Sequence, residues 1–232
     1  MMTRSPLGAY LLLARVSNLP TAWSNVLAGL ALAGAGLDSW PWLALAVSGF
    51  YSGGMFLNDA FDAAHDAAHR PDRPIPAGDV RRGEVVAIGA LLIAGGEGLL
   101  VATPRPAAAL AWGAALAVAI VVYNRWHKGV ALAPLVMGLC RGLVYLVAAA
   151  AVAPLSSTIV MAAAGLMAYV VALTVVARQA GPRAATLMPW LIAGISLVDA
   201  AVIVAAGQPR LAVWAMAAFA ATRLLQRVVP GT

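Results

Sequence analysis

The chain has 232 residues, of which 62% are hydrophobic and only 10% charged, and its mean hydropathy is +0.88. A soluble domain carries about 25% charged residues, so a soluble enzyme, a disordered chain and a disulfide-stapled secreted domain are all excluded. The single cysteine, Cys140, forms neither an intrachain disulfide nor a cysteine metal site. The net charge of +6 fits basic loops beside a membrane better than a nucleic-acid surface, and no nucleic-acid partner is expected.

Stretches of roughly 20 mainly apolar residues mark membrane-crossing helices. In chain order they fall at about 9–35, 40–60, 83–103, 106–124, 130–152, 157–178, 185–206 and 209–228. Breakers stand between them at Gly36–Asp38, Thr103–Pro106, Pro154–Ser157, Gly181–Pro182 and Gly207–Pro209. The expected architecture is an all-α, polytopic transmembrane bundle of about eight spans, forming one domain over residues 1–232. The first span follows Thr3-Arg4-Ser5-Pro6 but is too long for a signal-peptide core and contains Arg15 and Asn18, so it is read as retained. Gly49-x-x-x-Gly53 in the second span allows close helix approach.

The basic residues sort by side. With the N-terminus in the cytoplasm, 11 of the 15 Lys and Arg residues line the cytoplasmic segments and helix ends, and only Arg105 and Arg210 lie in outer loops. This asymmetry predicts an integral protein of a bacterial plasma membrane with both termini cytoplasmic. Arg15 and Arg141 fall inside spans. The acids are concentrated: six of nine lie between Asp59 and Glu84, around a predicted 61–82 loop long enough to be functional.

The segment leaving the second span reads Phe56-Leu57-Asn58-Asp59-Ala60-Phe61-Asp62-Ala63-Ala64-His65-Asp66. On a helix, Asn58, Asp62 and Asp66 share one stripe, because each step of four turns the side chain by only about 40°. Two carboxylates and an amide oxygen are hard ligands that suit Mg²⁺, which takes one or two carboxylates plus substrate phosphate oxygens. The alternative is a solvated helix end; carboxylates at the edge of a membrane favour function.

Asn58-Asp59-x-x-Asp62-x-x-x-Asp66, followed by Arg70-Pro71-x-Arg73-Pro74-Ile75-Pro76-x-Gly78, closely resembles the first aspartate-rich motif of the UbiA superfamily of intramembrane prenyltransferases. Arg15-x-x-Asn18 and Tyr123-x-x-x-x-Lys128-Gly129 extend the resemblance more weakly, so that it covers most of the chain. It implies a helical bundle around a central cavity, capped by the motif loops. It also implies Mg²⁺-dependent transfer of a prenyl group from a polyprenyl diphosphate to a small lipophilic or aromatic acceptor within the lipid bilayer. On the same basis Asn58, Asp62 and Asp66 would hold the metal. Arg73 and Lys128 would grip phosphate oxygens, and Asp62, Asp66 and Lys128 would form the catalytic set. Cations at the breaking C–O bond stabilise the leaving diphosphate, and an apolar interior shelters the allylic cation.

Other residues carry two readings each. Arg15 either snorkels to the headgroups or binds diphosphate. Asn18, three residues deeper, is a cavity wall or a helix–helix contact. Arg141 lies near mid-membrane, either serving the cavity or pairing with Glu97 or Asp199. Tyr123 is an interface aromatic or, by resemblance, part of the diphosphate site. Asp59, about 100° off the stripe, is assigned a supporting role.

The chain departs from the family pattern where a second aspartate motif is usual. There it reads Ala172-Leu173-Thr174-Val175-Val176-Ala177-Arg178-Gln179-Ala180-Gly181, without a carboxylate. Arg178 either replaces a second metal at the diphosphate or anchors the helix end. A non-catalytic relative that binds or helps export an isoprenoid or aromatic metabolite is the competing function, because some UbiA-like proteins of secondary-metabolite clusters lack a full second motif. Phosphatidyl-alcohol transfer requires Asp-Gly-x-x-Ala-Arg, which is absent. A channel or pump requires carboxylates along the spans, where only Glu97 and Asp199 occur.

Overall fold

In the computed structural model, which describes residues 5–128 and 130–231, the chain is helical, with no strand among the described residues. Thr3, Arg4 and Gly129, used in the sequence argument, lie outside the described residues. The helices are α1 (Pro6–Leu13), α2 (Leu19–Leu32), α3 (Trp40–His69), α4 (Arg82–Leu99), α5 (Pro106–Trp126), α6 (Ala133–Ala150), α7 (Ser157–Gln179), α8 (Ala184–Ala205) and α9 (Pro209–Leu225). Among the described residues, five segments are long and apolar enough to cross a membrane: Arg82–Ala102, Pro106–Trp126, Ala133–Ala150, Ser157–Gln179 and Ala184–Ala205.

The predicted first span, 9–35, is not one helix. α1 ends at Leu13, Arg15 adopts the left-handed region at φ 46°, a short 3-10 turn covers Val16–Asn18, and α2 begins at Leu19. Pro20 supplies the reason: it has no N–H to donate to the Val16 carbonyl, and its ring would clash there, so a continuous helix cannot run through this point. In the first turn of a new helix proline is harmless, and α2 starts accordingly at Leu19. Ser5 caps α1 by accepting from the Gly8 N–H at 3.2 Å.

α3 departs from expectation in the other direction. It continues past residue 60 to His69, a length of about 45 Å at 1.5 Å per residue. Ala63, Ala64, Ala67 and Ala68 are strong helix formers and carry it on. The predicted 61–82 loop is therefore only residues 70–81.

α3 and α4 form a close antiparallel pair. A Cβ at Gly53 would lie 2.6 Å from the Gly89 carbonyl oxygen, and one at Gly49 would lie 2.6 Å from that of Leu92. Only glycine permits this approach, as the Gly-x-x-x-Gly spacing predicts. α2 is central and packs against α3, α6, α8 and α9. One apolar cluster joins α2, α3, α5 and α6 through Val26, Leu43, Phe50 and Val147; another joins α2 and α6–α9 through Leu27, Tyr145, Leu166 and Ile203. A third, built on Leu13, Phe56 and Val85, seats α1 against α3 and α4.

Candidate functional site

A cavity of about 460 Å³ is walled by α2, α3, α5, α6, α7 and α8. Its sides are apolar, with Val47, Phe50, Ile120, Val144, Val170 and Ile195 contributing. Its polar lining is cationic: Arg15, Arg70, Arg73 and Arg141 reach it, whereas no Asp or Glu does among the described lining residues.

The break between α1 and α2 aims Arg15 at the motif helix. Its Nη2 donates to Asn58 Oδ1 and to Asp59 Oδ1, both at 3.3 Å. Arg73, from the loop after α3, donates to the same Asp59 oxygen at 3.3 Å. Asp59 therefore fixes two arginines at the cavity mouth. Its other oxygen, Oδ2, is buried without a hydrogen-bond partner among the described residues. Asn58 donates to Asn124 Oδ1 at 3.1 Å, and Asn124 donates to the Gly54 carbonyl at 3.0 Å. This ties α3 to α5.

One turn on, Asp62 accepts from Lys128 Nζ at 2.8 Å and lies 3.4 Å from His127 Nε2. Burial pushes the Asp62 carboxyl up, but the bonds from His127 and Lys128 outweigh it and leave its pKa below the usual carboxylate value. The bond to Asp62 conversely raises the pKa of His127, against its own burial. The His127 ring stacks on Tyr123 at 4.9 Å between centroids, and Tyr123 lines the cavity. Asp66, a further turn along, is buried. Asn58, Asp62 and Asp66 thus lie on continuous helix as the stripe requires, although they stand beside the cavity wall and do not line it.

Several expected contacts are replaced by others. Asn18 is on the wall, but its amide is committed: Nδ2 donates to the Gly231 carbonyl and Oδ1 accepts from Gln226 Nε2, both at 2.9 Å. It holds the C-terminal segment, with one Nδ2 donor and one Oδ1 acceptor used. Arg178 is exposed at the end of α7, where Ala177 lines the cavity. Lys128 is occupied with Asp62 instead of facing the cavity. Arg141 pairs directly with neither Glu97 nor Asp199: its Nη1 donates to Asn25 Oδ1 at 3.0 Å, and Asn25 Nδ2 donates to both Asp199 oxygens at 2.9 Å. Asp59 is central, where the sequence reading gave it a supporting role. Asn124 and His127 were missed, although both lie beside Tyr123 at a polar end of an otherwise apolar helix.

No set of three or more His, Cys, Asp or Glu side chains forms a ready metal cage among the described residues. The donor chemistry nevertheless suits Mg²⁺ shared with a diphosphate. One or two carboxylates suffice for that ion when substrate oxygens complete its shell, and Asp62 and Asp66 lie one turn apart beside Asn58. The partnerless Asp59 oxygen is a further hard donor in the same region. Lys128 and His127 contact Asp62 from the end of α5.

Residues 22–229 match the model of the UbiA prenyltransferase family. The digeranylgeranylglyceryl phosphate synthase of Methanopyrus kandleri is 40% identical over 124 residues, which span 52% of this chain and 44% of that protein. The synthase of the same name from Methanospirillum hungatei is 33% identical over 107 residues, spanning 45% of this chain and 38% of that protein. The matches thus span less than half the length of these relatives. Two solved structures share the fold at 17% identity. One, from work on digeranylgeranylglyceryl phosphate synthase in membranes, has a TM-score of 0.62 and covers 96% of this chain and 98% of that one. The other, a UbiA homologue from Archaeoglobus fulgidus bound to DMAPP and Mg²⁺, has a TM-score of 0.63 and covers 94% and 86%.

Proposed function

The chain belongs to the UbiA prenyltransferase family and is an integral membrane protein, and from that premise we propose that it transfers a prenyl group from a polyprenyl diphosphate to a small lipophilic acceptor. The observation that carries this reading is the cavity itself, apolar along its sides and lined by Arg15, Arg70 and Arg73 near the motif helix. An apolar tail with a polyanionic head has its complement in such a site.

Arg15 and Arg73 grip the diphosphate, pre-oriented by their shared hold on Asp59. Asn58, Asp62 and Asp66 would hold Mg²⁺, whose charge would stabilise the leaving diphosphate. Lys128 and His127, released from Asp62, turn to phosphate oxygens and supply further positive charge. The apolar walls keep water from the allylic cation until the acceptor attacks it. Arginines take the place that a second carboxylate-bound metal would fill, since residues 172–181 carry no acid. The basic segments around α3 and α4, and those after α5, α7 and α9, support a cytoplasmic motif side and cytoplasmic termini.

Asp62→Asn tests the reading. It should reduce pyrophosphate release by the purified protein at least about 100-fold, as expected when a positioned charge at the leaving group is lost. Full activity in this variant overturns the assignment. Saturable prenyl diphosphate binding without release in the unsubstituted protein supports the non-catalytic alternative, which the missing acids at residues 172–181 favour.

A further inference from the structure

The last two turns of α3 carry a pair of histidines that prenyl transfer does not use. α3 is about 45 Å long, whereas the hydrocarbon layer of a bilayer is about 30 Å thick. Its final turns therefore stand in water, where His65 and His69 are both exposed. They are four residues apart, the spacing that makes two side chains neighbours on a helix surface. The rings do meet: their centroids are 4.2 Å apart and their planes 19° from parallel.

The ring of His69 is also oriented. Its Nδ1 lies 2.9 Å from the His65 carbonyl oxygen. A carbonyl oxygen only accepts, so Nδ1 carries the proton of this bond, and the lone pair of the neutral ring sits on Nε2. Neither that nitrogen nor a ring nitrogen of His65 has a hydrogen-bond partner among the described residues. One nitrogen bonded to a backbone carbonyl and the other left open is the usual arrangement of a metal-ligating imidazole. His127 gives the contrast. Its Nδ1 meets the Tyr123 carbonyl at 3.2 Å in the same way, but its Nε2 faces Asp62 at 3.4 Å.

The surroundings suit a cation. His69 is in the last turn of α3, where the helix dipole is negative. Asp66 lies within one turn of both histidines, and Arg70, the next residue, lines the central cavity. Imidazole nitrogens suit Zn²⁺, Ni²⁺ and Cu²⁺, whereas Mg²⁺ takes oxygen ligands. The pair therefore differs in kind from the oxygen stripe of Asn58, Asp62 and Asp66.

We propose that His65 and His69 form a site for a borderline divalent transition-metal ion of the Zn²⁺ class, with water completing its shell. The ion bridges one helical turn and clamps the end of α3 beside Asp66. The site stands apart from prenyl transfer and does not depend on it.

The test is binding of Ni²⁺ and Cu²⁺ to the full-length protein in detergent, prepared without a polyhistidine tag. The chain has three histidines and one cysteine, so few side chains compete for such ions. Electron paramagnetic resonance of the Cu²⁺ complex should show one ion held by two imidazole nitrogens. His65→Gln and His69→Gln should each weaken Ni²⁺ binding at least about tenfold, the smallest effect expected even for an outer partner of a metal ligand. His127→Gln should leave it unchanged, and a large excess of Mg²⁺ should not displace Ni²⁺. Both positions are exposed and glutamine suits a helix, so the variants should melt like the unsubstituted protein when no metal is added. In the unsubstituted protein, Ni²⁺ should shield His65 and His69 from diethyl pyrocarbonate, mapped by mass spectrometry, and Mg²⁺ should not; this decides the matter if a variant does not fold. Absence of a nitrogen-held ion, undiminished binding in either folded variant, or displacement by Mg²⁺ overturns the proposal. The last outcome gives the ion to the oxygen stripe. Pyrophosphate release from prenyl donors, measured separately, decides prenyl transfer alone.

Discussion

Asp59→Asn separates the cost of the arginine pair from its use. The Asp59 side chain is 6% exposed and those of Arg15 and Arg73 are 19% and 20% exposed. At 3.3 Å and an effective dielectric of about 20, each contact has a Coulomb energy of about 5 kcal/mol before desolvation is subtracted. Removing one member of a fully buried pair costs about 3–5 kcal/mol. Both arginines keep some access to water, and asparagine keeps one acceptor oxygen, so a loss of about 2 kcal/mol is expected here. For a chain of this size that lowers Tm by about 4–8 °C. A diphosphate then supplies the missing counter-charge. The rise in Tm on adding pyrophosphate in Mg²⁺-free buffer should therefore be larger in the variant than in the unsubstituted protein. Melting in detergent, with and without pyrophosphate, measures both quantities. A variant that melts unchanged, with an equal or smaller response to pyrophosphate, refutes the claim that Asp59 holds these arginines for an anion.

Two further outcomes follow from the same geometry. Gly53→Ala gains about 1 kcal/mol of helix propensity but sets a Cβ 2.6 Å from the Gly89 carbonyl and 2.7 Å from Ile93 Cγ1; overpacking of about 1–3 kcal/mol should leave it net destabilised in a melting assay, whereas Gly95→Ala, with nothing within 4 Å, should not be destabilised. The His127–Asp62 contact predicts a pH effect in metal-free protein. Because folding raises the His127 pKa, its contribution is full below the unfolded value of about 6.5 and disappears as pH rises through the folded value; Asp62, held low, loses its own contribution only in acid, as pH falls through its depressed value. Tm should fall between mildly acidic and mildly alkaline pH, and His127→Gln should flatten that slope.

The motif helix was legible because its cue is local: a period of four residues places Asn58, Asp62 and Asp66 on one stripe, and the structure continues the helix beneath them. The helix break at Arg15 was also written locally, in Pro20, but the apolar run around it concealed the signal. Contacts made by distant parts of the chain left no such trace. Asn18 meets Gly231 across 213 residues, and Lys128 meets Asp62 from a different helix end. Arg141 was recognisable as a buried charge, yet nothing in its neighbourhood indicates that Asn25, 116 residues earlier, would stand between it and Asp199. Composition announces that a charge inside a membrane needs a partner; only packing chooses which.

The most direct measurement is turnover by the purified protein in lipid nanodiscs, with prenyl diphosphates of several chain lengths, Mg²⁺ and candidate acceptors, following pyrophosphate release. Release that requires Mg²⁺ and at least one prenyl donor, and that rises when a productive acceptor is added, is the predicted result. Saturable donor binding with no release across the whole series would contradict prenyl transfer.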